Sequence, residues 1–136
     1  MKIIRYEEID STQLEAKRLA KKNNVSNGNV IIEKNQITIK IAKCITETFK
    51  ELYNINLDIK KPNDIVYNGK KIGGILTESI IQKKFVKYIF IGIGINTNQT
   101  EFTEEIQNIA TSIKKEFDID VNNERVIKNL SQKLLH

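Results

Sequence analysis

The sequence predicts an α+β domain in which a mixed, largely antiparallel sheet is flanked by helices. Three observations predict it. Asn68-Gly69 stands between two β-branched runs and is the strongest hairpin signal in the chain, because a type I′ turn needs positive φ at both central residues. Ile41, Ile45, Phe49 and Leu52 recur at helical spacing. Phe85 to Ile95 is a long, nearly continuous apolar run, expected as a central and buried strand.

The elements follow in order. Residues 2–6 read as a short strand. Asp10-Ser11-Thr12 then precedes a periodic apolar stretch, and Thr12 with Glu15 has capping-box spacing, so a helix is expected to about Lys22. Asn27-Gly28 marks a turn and Asn29 to Glu33 a strand. The next helix is expected over Ile37 to Tyr53. Leu57 to Lys60 is a short strand that Pro62 ends, since proline has no N–H for a ladder. Ile65 to Tyr67 and Lys70 to about Ile81 form the two arms of the hairpin. Lys83-Lys84 turns the chain into the run from Phe85 to Ile95. Ala110 to Phe117 and Asn123 to Leu135 read as amphipathic helices. With no linker or repeat, the 136 residues are expected to form one domain.

Composition narrows the function classes. The formal net charge is +5, but lysines alternate with glutamates along the whole chain. That pattern reads as a solvated lysine surface and not as a nucleic-acid stripe. Cys44 is the only cysteine, on an apolar helix face where a small core residue is expected, so no disulfide can form within the chain. The only histidine is His136, which leaves no Cys/His metal cluster and no Ser-His-Asp triad. No signal peptide or membrane-spanning run is apparent, so a soluble cytoplasmic protein is expected.

Three clusters carry chemistry. The first is Lys61-Pro62-Asn63-Asp64 followed, across the turn, by Lys71-Ile72-Gly73-Gly74-Ile75-Leu76. It places a carboxylate and an amine on partner strands. Glycine inside a strand marks either a bulge or a close approach by backbone or ligand. The second is Gly92-Ile93-Gly94-Ile95-Asn96 at a strand end, which permits close approach and adds an amide with donors and an acceptor. It lacks the spacing of a dinucleotide fingerprint and is equally compatible with tight strand packing. The third is Asp10-Ser11-Thr12-Gln13 at a helix start, where capping alone explains the hydroxyls.

Taken together, in this order and spacing, the clusters resemble the catalytic domain of the biotin–protein ligases. Ala110-Thr111-Ser112-Ile113 matches a further motif of that family. The resemblance implies an enzyme that joins biotin to ATP, giving biotinyl-AMP and pyrophosphate, and then passes biotin to a lysine of a biotin carboxyl carrier protein. It implies Lys71 and Asp64 as catalytic residues. Ser11, Thr12, Gln13, Gln36, Gly74 and Gly92 would surround biotin, and Asn63, Lys71 and Asn96 the nucleotide. Mg²⁺ is implied by the ATP chemistry alone. Neither nucleic acid nor membrane is an expected partner.

The match also has a gap. After Gln36 the family carries a Gly/Arg-rich loop and two strands, whereas here Ile37-Thr38-Ile39 passes directly into a helix. The chain is thus read as one ligase-like domain over residues 1–136, shortened near 36–38, with no helix-turn-helix and no small C-terminal domain. Weaker ligand retention, slow adenylation and an exposed sheet edge open to a homodimer are expected. Lys61 also replaces the family's tryptophan and Gln13 its asparagine. The alternatives are a non-catalytic biotin-binding or regulatory protein of the same ancestry and a lipoate–protein ligase. Gly74-Ile75-Leu76 and the run from Gly92 to Asn96 favour biotin over lipoate.

Overall fold

The computed structural model describes residues 34–61, 63–82 and 85–135. The expected strand at 2–6, the helix after Ser11, the strand at 29–33, Pro62, Lys83-Lys84 and His136 lie outside the described residues. The order of elements is α1 (Lys34–Tyr53), β1 (Asp58–Lys60), β2 (Asp64–Tyr67), β3 (Lys70–Gln82), β4 (Phe85–Ile95), α2 (Ile113–Phe117) and α3 (Asn123–Leu135).

α1 forms because Ile41, Ile45 and Phe49 recur on one stripe, and all three are buried. It starts three residues before the expected Ile37, so Gln36 falls in its first turn. Its end is set by Asn54 in the left-handed region, at φ 56°. There the Asn54 N–H donates to the Lys50 carbonyl at 3.0 Å, and Lys50 Nζ donates to Asn54 Oδ1 at 2.9 Å. Cys44 packs half-buried against the core, and burial, with Glu47 adding to it, pushes its thiol above the ordinary value.

The four strands lie in sequence order, each antiparallel to the next. The β2–β3 hairpin closes through Asn68 and Gly69 at φ 49° and 78°, as the Asn-Gly signal requires. Between Ile65 and Val66 the pairing slips, because Ile65 faces Gly73 while Val66 faces Lys71. Ile72 is the extra residue of a β-bulge.

The core fills the space between the sheet and the helices. α1 lays its stripe against Ile65, Ile72 and Ile75, and α3 adds Val126 and Leu130. Burying a side chain such as Phe49 contributes about 1.5–3 kcal/mol relative to leaving it in water. The two long helices are fastened at the surface by Lys133 Nζ, 2.8 Å from Glu51 Oε1, and beneath it by the buried Thr48, whose Oγ1 donates to Asn129 Oδ1 at 3.0 Å. The Lys133 ammonium beside it holds the Glu51 carboxyl below its usual range.

Among the described residues β4 pairs with β3, and Ile91, Ile93 and Ile95 pack against the core. Its apolar run conceals an alternation in which Ile91, Ile93 and Ile95 point inward and Gly92 and Gly94 outward. The helix expected from Ala110 begins at Ile113, capped by the Ser112 side chain, which accepts from the Lys115 N–H at 3.0 Å. Ala110 instead forms a parallel bridge with Lys71, so its backbone is committed elsewhere.

Candidate active site

In an antiparallel pair, directly opposed residues point to the same face. The register therefore sorts the chemistry. Lys60 faces Asp64, Asp64 faces Gly74 and Gly74 faces Gly94, making one row across all four strands. Leu76 faces Gly92 in the next row along. The intervening rows, Ile59–Ile65–Gly73–Ile95 and Ile75–Ile93, turn toward α1 and the core. The face away from α1 thus carries a floor of Gly74, Gly92 and Gly94, with Leu76 still 41% exposed beside it.

Lys71 joins this face because of the bulge. Residues three apart on a regular strand point to opposite faces, yet the extra Ile72 restores Lys71 to the side of Gly74. A Cβ placed on Gly74 would lie 3.2 Å from Lys71 Nζ, so the amine spans the space that a side chain there would fill. From that position Lys71 Nζ reaches Asp64 Oδ1 at 3.3 Å. The two side chains are 54% and 28% exposed. An ion pair so exposed contributes little to stability, on the order of 0–1 kcal/mol.

The adjacent glycines serve different needs. A Cβ on Gly73 would meet the Gly94 carbonyl oxygen at 2.7 Å, so Gly73 answers a close approach of backbone. A Cβ on Gly94 meets nothing within 4 Å, which leaves the floor open there.

Of the residues singled out from sequence, Asp64, Lys71, Gly74 and Gly92 share this face. Asn63 sits at its rim, its carbonyl accepting from the Ile75 N–H at 2.9 Å. Asn96 lies just past β4, where its side-chain Nδ2 donates to the Thr111 carbonyl at 3.1 Å. Gln36 lies in the first turn of α1. Ser11, Thr12 and Gln13 lie outside the described residues. Sequence reasoning did not single out Leu76 as a site residue. The signal was available in the period of two that ties it to Gly74. It also missed the contact between Lys71 and the segment around Ala110, which no local pattern encodes. Among the described residues, no group of three His, Cys, Asp or Glu side chains converges as a metal cage.

Among the described residues, a four-stranded antiparallel sheet backed by helices gives the α+β fold of biotin and lipoate ligase structures. The chain belongs to the Biotin/lipoate A/B protein ligase family, whose profile matches residues 18–96. It is 39% identical over 97 residues to the bifunctional ligase/repressor BirA of Bacillus subtilis, a match covering 70% of this chain and 30% of that protein. Among solved structures, it resembles the apo biotin protein ligase of Aquifex aeolicus with a TM-score of 0.64 and 30% identity, covering 74% of this chain and 44% of that one. The same enzyme in complex with biotin and ATP matches with a TM-score of 0.63 and 30% identity, over 77% of this chain and 45% of that one. The chain therefore spans less than half the length of the relatives it matches. No helix among the described residues is long and apolar enough to cross a membrane.

Proposed function

We propose that the chain carries the ligand-binding sheet of a biotin–protein ligase, which activates biotin with ATP and transfers it to a lysine of a biotin carboxyl carrier protein. The observation that carries this reading is the Lys71–Asp64 pair set beside the glycine floor, in a chain of this family.

The chemistry follows from charge. Activation brings the biotin carboxylate against the α-phosphate of ATP, and two anions repel. Fixed positive charge is needed where charge develops. Lys71 supplies it, lying over Gly74 and steered there by Asp64. A carboxylate oxygen attacks the α-phosphorus, the bond to the β-phosphate oxygen breaks, and pyrophosphate leaves. Leu76 and the floor at Gly92 present an apolar surface to the ring system, and Asn63 stands at the nucleotide end. In the second step a carrier lysine attacks the mixed anhydride and AMP leaves. Asp64 is placed to accept from the incoming ammonium. Mg²⁺ is implied by the ATP chemistry, and no step here depends on it. Ser11, Thr12, Gln13 and Gln36 are proposed for biotin on resemblance alone. A single domain in the cytoplasm, free of nucleic acid and able to pair along a sheet edge, belongs to the same reading.

The test is biotin-dependent exchange of pyrophosphate into ATP by the purified protein, with Mg²⁺ and with lipoate as a parallel substrate. Slow exchange above the no-biotin control supports the ligase. Exchange with lipoate alone would move the assignment to the lipoate branch. No exchange from folded protein favours a non-catalytic biotin binder. That second reading has its own support, since α1 is already helical at Lys34–Gln36, where the resemblance places the lead-in to the Gly/Arg-rich loop.

A further inference from the structure

We propose that Asn96 is a positioning residue that acts through Lys71, by stapling the bulge that aims the Lys71 side chain at Asp64. The nucleotide arm of this proposal rests on the ligase reading above, but the staple itself does not.

The argument begins at the bulge. Lys71 shares a face with Gly74 only because Ile72 is the extra residue, and the ladder with β4 ends at Ile95 opposite Gly73, so the Lys71 N–H and carbonyl have no partner on β4. Those groups need partners from elsewhere. The Asn96 N–H donates to the Ile72 carbonyl at 2.7 Å. The Lys71 N–H donates to the Ile109 carbonyl at 2.8 Å, and the Lys71 carbonyl accepts from the Thr111 N–H at 2.9 Å. The segment from Ile109 to Thr111 therefore holds both backbone groups of Lys71. That segment is in turn held by Asn96, whose Nδ2 donates to the Thr111 carbonyl at 3.1 Å and whose own carbonyl accepts from the Ile113 N–H at 3.1 Å. Asn96 Oδ1 has a partner too, accepting from Gln99 Nε2 at 3.4 Å.

The surroundings make the staple stiff. Thr111 and Ser112 are fully buried. The Thr111 hydroxyl donates to Glu116 Oε1 at 2.6 Å, and the Ser112 hydroxyl donates to the Gln99 carbonyl. Asn96 thus bonds the bulged residue with its backbone and the clamp on Lys71 with its side chain. An amide is suited to this place because it donates to one carbonyl while accepting from a second group. Aspartate has the same shape but would set a carboxylate oxygen against the Thr111 carbonyl.

Two measurements on the intact chain test the proposal. The first is amide hydrogen exchange at Lys71 and Thr111 in Asn96→Ala and in the isosteric Asn96→Asp, without ligand. Both variants are expected to speed exchange at these two amides by about tenfold or more while leaving Phe49 and Ile45 protected. Unchanged protection at Lys71 overturns the staple, whatever the protein binds. The second is a double-mutant cycle on ATP binding with Asn96→Ala and Lys71→Ala. Asn96→Ala alone is expected to weaken ATP about tenfold, with little further loss in the Lys71→Ala background. Additive losses would place Asn96 on the ligand itself and overturn the positioning role. Faster exchange at Lys71 together with no ATP binding by the unsubstituted chain would keep the staple and sink the ligase reading, so the two failures are separable.

Discussion

The two faces of the sheet are built by opposite rules. The face against α1 is crowded with branched side chains, Ile65, Ile72 and Ile75 being almost wholly buried. The other face has been stripped, with Gly74, Gly92 and Gly94 forming a floor beside the charged Lys60, Asp64 and Lys71. The same strands therefore carry stability on one side and chemistry on the other. A substitution should move one property or the other according to the face it lands on.

The strongest break of that division is on the core side. Phe49→Ala is expected to cost about 3–5 kcal/mol, because the cavity lies at the centre of the packing. Urea denaturation would read it, and a loss under about 1 kcal/mol would mean that the core does not rest on α1. On the open face, Lys71→Ala is expected to lower biotin-dependent pyrophosphate exchange by about 10²–10³-fold. The same variant should leave the unfolding free energy within about 0.5 kcal/mol. A matching fall in both would erase the contrast between the faces.

The glycines sharpen the comparison. Gly73→Ala sets a methyl 2.7 Å from the Gly94 carbonyl, so β3 and β4 must shift. A loss of about 1–3 kcal/mol in a thermal or urea melt is expected. Gly94→Ala meets no neighbour within 4 Å and should not destabilise the chain, yet it should weaken biotin about tenfold in a titration if the floor receives the ligand. Unaltered affinity would show that the floor ends before Gly94. The smallest effect is expected far from both faces. Glu51→Gln removes a carboxyl held below its usual range by Lys133. A depressed folded-state value contributes stability above the unfolded value and loses it as pH falls through the folded one. The wild-type advantage in Tm should accordingly be present at neutral pH and vanish on acidification.

The local elements were legible because they obey short-range rules. Asn68-Gly69 set the hairpin, the spacing of Ile41, Ile45 and Phe49 marked α1, and Asn123 to Leu135 formed the expected last helix. The ligase resemblance was legible as well, since its motifs are runs of neighbouring residues. The sorting of the end of β4 was not, because an apolar run does not reveal which of its residues are floor and which are core. Nor was the early break before α2, where Ala110 and Thr111 give their backbone groups to Lys71 instead of to a helix.

The sequence by itself determined the order of the described elements, the hairpin turn and the set of residues able to carry charge. It left the two adjacent glycines ambiguous between packing and ligand, and in the structure Gly73 makes room for backbone and Gly74 for the Lys71 amine. Only the tertiary structure decided that Lys71 meets Asp64. That contact depends on one extra residue in β3, and the bulge is held by hydrogen bonds from Asn96 and from the segment 109–111. A strand's period of two assigns faces only while pairing stays in register, and where it slips the partners that hold the slip come from distant parts of the chain.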